Sequence, residues 1–282
     1  MNQVFSPVRL GMLIDLHWKE NRRMYLLSLL AIGGVIAAWY GLLLAMDKYA
    51  PLNPMIQYLT YYIGLYLAGC LYASTIFATL GNKAKGILYL SLPASHLEKL
   101  GCGILFGVIF FFLAYTALFY LIDIPLVHAA NGIIARDHQV WPNNGKPIGS
   151  QEVFNLLAEN NWAPVPDRTT HLFLAFYFAA QSAFLLGSVY FTRYPFIKTI
   201  IALIILWVIA VLFMEKGVAA HLPDGWRPYD FLEWTRPDEY GSQMKWVKLP
   251  YGTERMLELF FECIFPPAFW CITYFRLKEK EV

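Results

Sequence analysis

Residues 24–46 read MYLLSLLAIGGVIAAWYGLLLAM, a run in which only Tyr25, Ser28, Trp39 and Tyr40 bring a polar side-chain atom. An α-helix needs about 20 mostly apolar residues to cross the hydrocarbon core of a bilayer, and this run suffices. Five more stretches qualify, at 55–80, 101–122, 172–191, 196–214 and 256–275. The last is the weakest, since it carries Glu258, Glu262 and the Pro266-Pro267 pair. All six are continuous apolar runs without period-two alternation, which specifies helices rather than a barrel. The pattern predicts an all-α integral membrane protein, one transmembrane domain over residues 1–282 with six spans. Composition agrees: 58% of the 282 residues are hydrophobic and 15% charged, against about 25% charged in a soluble domain. Such a chain could not cover itself with polar groups in water, and intrinsic disorder is excluded. A formal charge of +2 offers no basic footprint for nucleic acid. Cys70, Cys102, Cys263 and Cys271 all lie in apolar segments, which is not a disulfide framework. Some 23 residues precede a first run too long for a signal-peptide core, so a cleavable signal is not expected.

Orientation follows from Lys and Arg. The N-terminal tail, the 81–100 loop, the 192–195 turn with nearby Lys198, and the C-terminal tail hold Arg9, Lys19, Arg22, Arg23, Lys83, Lys85, Lys99, Arg193, Lys198, Arg276, Lys278 and Lys280. Only five acids share that side: Asp15, Glu20, Glu98, Glu279 and Glu281. The other fifteen lie opposite, with the remaining ten basic residues spread over longer loops. Both termini are therefore expected in the cytoplasm. Ahead of the first span, Ser6-Pro7 marks a helix start. Val8, Leu10, Leu13, Ile14, Leu16 and Trp18 then alternate with Arg9, Asp15, His17 and Lys19. This reads as an amphipathic helix in the cytoplasmic interface, ending at Arg22-Arg23.

Two extracytoplasmic loops are expected, 123–171 and 215–255. In the first, Trp141-Pro142-Asn143-Asn144-Gly145 reads as a turn and residues 150–157 as a short capped helix. The second gathers Trp226, Tyr229, Phe231, Trp234, Tyr240, Trp246 and Tyr251, either an interfacial aromatic belt or a vestibule contacting substrate.

Standard catalytic signatures are missing. No phosphate-binding loop, H-E-x-x-H, G-x-S-x-G or C-x-x-C occurs, so the chain is not expected to be an enzyme or to hold a cofactor. His128, His138, His171 and His221 match no metal-ligand spacing. Glu254, Glu258 and Glu262 stack on one helical face at i, i+4, i+8. They either begin a segment in the outer headgroups or make Glu258 and Glu262 candidates for a translocation path. Gly64 and Ala68, and Gly103 and Gly107, permit close helix approach, within the chain or between copies.

The most informative loop is 81–100. Ser95 and Glu98 form an S-x-x-E capping box that starts a helix feeding the third span, and Pro93 stops any helix arriving from Leu88. Between them Ile87–Leu92 makes an apolar patch on the cytoplasmic face, resting on the membrane or docking a protein. The run Leu90-Ser91-Leu92-Pro93-Ala94-Ser95-x-x-Glu98-Lys99, between spans two and three of six, resembles the permease subunits of ABC-2 type transporters, in a form found in Bacteroidota. The resemblance implies an exporter subunit of the bacterial inner membrane, working with a second permease copy and a separate ATPase subunit that carries ATP and Mg. It also implies that the coupling contact falls on Leu90, Ser91, Leu92, Pro93, Ala94, Ser95, His96, Glu98 and Lys99, and that a re-entrant element precedes the sixth span near Thr253–Glu262. Two other functional classes remain open: an intramembrane enzyme or proton-coupled carrier using Glu258 and Glu262, and a sensor or structural subunit whose loops bind an outer partner.

Overall fold

A computed structural model describes residues 5–46, 51–81, 83–140, 151–156, 169–213, 216, 234–237, 244–247 and 264–280. Of residues 83, 85, 136–140, 169–172, 234–237 and 244–247 it describes the backbone alone. The elements are α1 (Pro7–Met46), α2 (Pro54–Thr75), a 3₁₀ turn (Ala78–Gly81), α3 (Lys83–Leu90), α4 (His96–Ile104), a π-helical stretch (Leu105–Phe110), α5 (Phe111–Val140), α6 (Thr169–Tyr190), α7 (Pro195–Phe213) and α8 (Phe265–Glu279). Within the second predicted loop, β1 (Trp234–Pro237) pairs antiparallel with β2 (Met244–Val247), Trp234 opposite Val247. The sequence reading contained no such pair.

Four helical stretches are long and apolar enough to cross a membrane: Pro7–Met46, His96–Ala135, Phe173–Tyr190 and Pro195–Phe213. Their outer surfaces are compatible with a multi-pass membrane protein. On α7, Ile201, Ile204, Ile205, Leu206, Trp207 and Ile209 are all exposed, a surface no water-soluble helix presents. Helix α2 has the length, at 22 residues, but its tyrosines and Gln57 lower its hydropathy. The reason lies in how it faces. Met55, Leu59, Ile63, Leu67 and Leu71, each four residues apart, form an exposed aliphatic stripe, while Gln57, Tyr61, Tyr62 and Ser74 are buried. Its polar groups face protein and its hydrocarbon faces outward.

Several boundaries differ from the sequence reading. The amphipathic segment does not end at Arg22-Arg23; α1 runs unbroken through it for 40 residues. Nothing between Lys19 and Met24 is a helix breaker, so the polarity change there is a change of surroundings rather than of backbone. The second span stops at Thr75 instead of continuing to 80. The hydroxyls of Ser74 and Thr75 donate back to the carbonyls of Leu71 (2.6 Å) and Tyr72 (2.8 Å), a local competition that weakens helix ends. The third span does not yield to a loop at 123. The helix continues through Pro125 to Val140. Of the expected helix at 150–157, the described residues 151–156 carry no helix and bond to side chains of α2 and α5. The turn at 141–145 and the segment 253–262, with Glu254, Glu258 and Glu262, fall outside the described residues.

Packing is aromatic. One cluster joins Tyr40, Leu52, Tyr61, Tyr115, Phe119, Val127 and Phe154. A second, at the opposite end, joins Leu13, Tyr25, Phe77, Ala94, Leu100, Phe106 and Leu277. The second cluster brings the start of α1, the α3–α4 junction and the end of α8 to one end of the bundle, here the terminal end. The glycines singled out in the sequence serve contacts inside the chain. Gly103 and Gly107 admit Phe77 and Ile76, and a Cβ on Gly64 would stand 2.2 Å from the Tyr115 hydroxyl, which donates to the Tyr61 carbonyl at 3.0 Å. Gly64→Ala is therefore expected to cost about 1–3 kcal/mol. In a Tyr115→Phe background most of that increment should vanish, which a double-mutant cycle of thermal unfolding in detergent would measure.

Candidate functional site

The terminal end holds the residues the sequence singled out. Helix α3 closes through the Ser91 N–H donating to the Ile87 carbonyl at 2.9 Å. The chain then bends over Leu92 and Pro93, where the Ala94 N–H donates to the Leu92 carbonyl at 2.7 Å. Ser95 starts α4. Its side chain accepts from the Glu98 N–H at 3.3 Å, and Glu98 Oε2 accepts from the Ser95 N–H at 2.8 Å. The capping box expected from S-x-x-E is present.

Glu98 does more than cap its own helix. Oε1 accepts from the Ser6 N–H at 2.7 Å and from Arg9 Nη2 at 3.1 Å. One fully buried carboxylate thus holds the N-termini of two helices, where their dipoles favour negative charge. Burial works to raise its pKa, but the Ser6 and Ser95 amides and Arg9 outweigh it and hold the carboxyl below its ordinary range. Next to it, Lys99 Nζ donates to the Leu90 carbonyl at 2.8 Å and lies 6.0 Å from the centre of the Tyr89 ring. The lysine therefore caps the C-terminus of α3. His96 meets Tyr274 of α8 edge-on, ring centres 6.1 Å apart.

This geometry sorts the nine predicted contact residues. Ala94, Ser95, Glu98 and Lys99 are buried and hold the junction together; Leu90, Leu92 and His96 are half-buried; Ser91 and Pro93 are exposed. The apolar patch divides likewise. Tyr89 and Leu92 pack into the terminal cluster, whereas Ile87 and Leu88 point outward at 70% and 69% exposure, joined by Leu97 at 52%. The outcome is a rigid platform with three aliphatic side chains on its outer face. Comparison with protein-family models, curated proteins and solved structures gives no match. The platform must be read from its own geometry.

On the same end, His17 of α1 contacts the Tyr25 hydroxyl through Nε2 at 2.5 Å and packs on Phe106, ring centres 4.6 Å apart; burial lowers its pKa. Among the described residues no group of three or more His, Cys, Asp or Glu could hold a metal. Sequence reasoning missed Ser6 and Arg9, because nothing local announces a partner 92 or 89 residues away.

The depressed pKa of Glu98 fixes the sign of its pH effect. Its contribution is complete above the unfolded carboxylate's value and is lost as pH falls through the lower folded one. Glu98→Ala should release the start of α1, so that tryptic cleavage after Arg9 quickens at least about tenfold. Glu98→Gln, which preserves the capping box, should fall between. Unchanged cleavage in Glu98→Ala would rule out the clamp.

Proposed function

We propose that this chain is the membrane-spanning permease subunit of an ATP-driven ABC exporter, driven by a separate ATPase subunit docked on the α3–α4 platform. The observation that carries this reading is the combination of outward Ile87, Leu88 and Leu97 with a junction tied by Glu98 to the starts of two long helices. An apolar patch on a loose loop would dock a partner but transmit little. Here a push on the platform passes into α1 through Ser6 and Arg9, and into α4–α5 directly. The Leu90–Lys99 run that resembles ABC-2 permeases lies in the same junction. ATP and Mg belong to the partner, and this chain performs no covalent chemistry. Its own work is to bind the motor, carry displacement across the bilayer and shape a path between its helices and those of a second permease copy.

In this reading the protein sits in the bacterial inner membrane, with the terminal end in the cytoplasm as the Lys and Arg distribution demands. Helix α2 is a span by its outward aliphatic stripe. Helix α8 supplies the sixth. Its 15 described residues reach roughly 22 Å at about 1.5 Å per residue.

The exposed aliphatics give the direct test. Ile87→Glu with Leu88→Glu leaves the buried junction untouched and should weaken association with the ATPase subunit by at least about tenfold. The measurement is co-purification from detergent, with melting temperature as the control for folding. Full retention of the ATPase by the double variant would remove the docking assignment.

A further inference from the structure

At the end of the bundle opposite the termini, residues 151–156 run between α2 and α5 without helix or strand. Their backbone is nonetheless held at four of the six residues. Asn131 is paired twice with Gln151, accepting from its N–H at 2.7 Å and donating to its carbonyl at 2.9 Å. Gln57 Nε2 donates to the Glu152 carbonyl at 3.0 Å. Asp123 Oδ2 accepts from the Phe154 N–H at 2.9 Å, and the Tyr120 hydroxyl accepts from the Leu156 N–H at 3.1 Å. Phe154 itself is inserted, its ring 4.7 Å from that of Tyr61 and 5.3 Å from that of Phe119.

Two features separate this arrangement from an ordinary packed loop. Asp123 is fully buried on a helix whose flanks are hydrocarbon, and an ionisable group in that setting is costly unless it has a task. Moreover, the aromatic socket that takes Phe154 is rimmed by polar side chains. If residues 151–156 withdrew, Gln57, Asp123 and Asn131 would turn from backbone partners into water-binding groups, so an open state is hydratable and not forbiddingly strained. A purely apolar socket could not open to water at that cost. In the seated state Asp123 Oδ1 and Gln151 Nε2 are buried without a partner, groups that water would satisfy on opening; two such competing states are what a gate requires.

We propose that residues 151–156 are the gate at this end of the bundle, a plug seated by Phe154 and latched by Asp123. The latch is linked to the platform. Asp123 stands 25 residues along the continuous α4–α5 helix from Glu98, roughly 37 Å at about 1.5 Å per residue. Tyr40, near the far end of α1, packs edge-on against Phe119, one helical turn before Asp123 on α5. Both helices clamped by Glu98 therefore pass the plug. The transport reading enters only through what opens the gate; the gate itself is a property of this chain.

Thr116, whose Oγ1 contacts the Tyr61 hydroxyl at 2.9 Å, lies one turn inward of Tyr120. A Thr116→Cys chain in vesicles with this end outward would be treated with a membrane-impermeant maleimide, against the same chain without that change. Labelling should be slow with the plug intact. It should quicken by about tenfold in Asp123→Ala, the factor expected for losing one buried hydrogen bond to a charged acceptor. Asp123→Asn, which keeps an acceptor for Phe154, should remain slow. Should Asp123→Ala fail to fold, Asn131→Ala and Phe154→Ala ask the same question from the other contacts, and amide exchange of 151–156 provides a second readout. Equal labelling with latch intact and broken, or unprotected amides in the wild type, would overturn the gate. In the complex with the ATPase, faster labelling on nucleotide trapping supports both readings. Latch-sensitive labelling that ignores nucleotide supports the gate and removes the coupling.

Discussion

The Glu98 carboxylate accepts from the backbone of Ser6, the backbone of Ser95 and the guanidinium of Arg9, and so gathers two helix starts around one buried negative charge. Each helix N-terminus presents N–H groups that no carbonyl of its own helix can satisfy. Fixing both with one anion removes two end problems at once and sets the distance between α1 and α4. Lys99 does the complementary service for the carbonyl end of α3. The junction thereby becomes stiff without a large core: Ala94, Leu100 and Leu277 close it from inside, and the surface is left to Ile87, Leu88 and Leu97.

Lipid imposes the second constraint. Where the surroundings are hydrocarbon, burying apolar groups yields little and the interior becomes the place for polar ones. Helix α2 shows the result. Its tyrosines stack on Tyr115, Phe119 and Phe173, and Gln57 spends its amide on two carbonyls, those of Leu52 and Glu152. The same logic explains why residues 151–156 forgo a helix. Side chains of α2 and α5 already offer what their backbone needs, and non-helical chain at this depth is tolerated when protein supplies the partners.

The sequence made legible whatever depends on local pattern. Apolar runs located most helices, because length and hydrocarbon content decide insertion, and Ser95 with Glu98 announced their own cap. Boundaries set by tertiary partners were not legible. Arg22-Arg23 marks a change in surroundings that the α1 backbone ignores. Asp123 was assigned to a loop because an acid ends an apolar count, yet Ile124, Leu126 and Val127 follow it, and that renewed apolar stretch was the available signal. Residues 151–156 carry a good local helix pattern that Asn131, Gln57 and Asp123 override. The partners of Glu98 had no local signal, being fixed by how the bundle closes rather than by spacing.

The α4–α5 helix joins the two ends, and a π-helical stretch falls between them. At Leu105–Phe110 the helix adopts π geometry, where turns are wider and the regular ladder is interrupted. Gly103 and Gly107 lie in and beside this stretch, pressed against Phe77 and Ile76, and the Val108 carbonyl accepts from the Tyr177 hydroxyl of α6 at 3.4 Å. A rod with a wide turn near one end changes its angle there more readily than elsewhere. It is anchored at Glu98 near its start and meets the plug at Asp123, so bending at the π stretch would alter how those two contacts are aligned. Helix α1, uninterrupted over the same distance, has no matching turn.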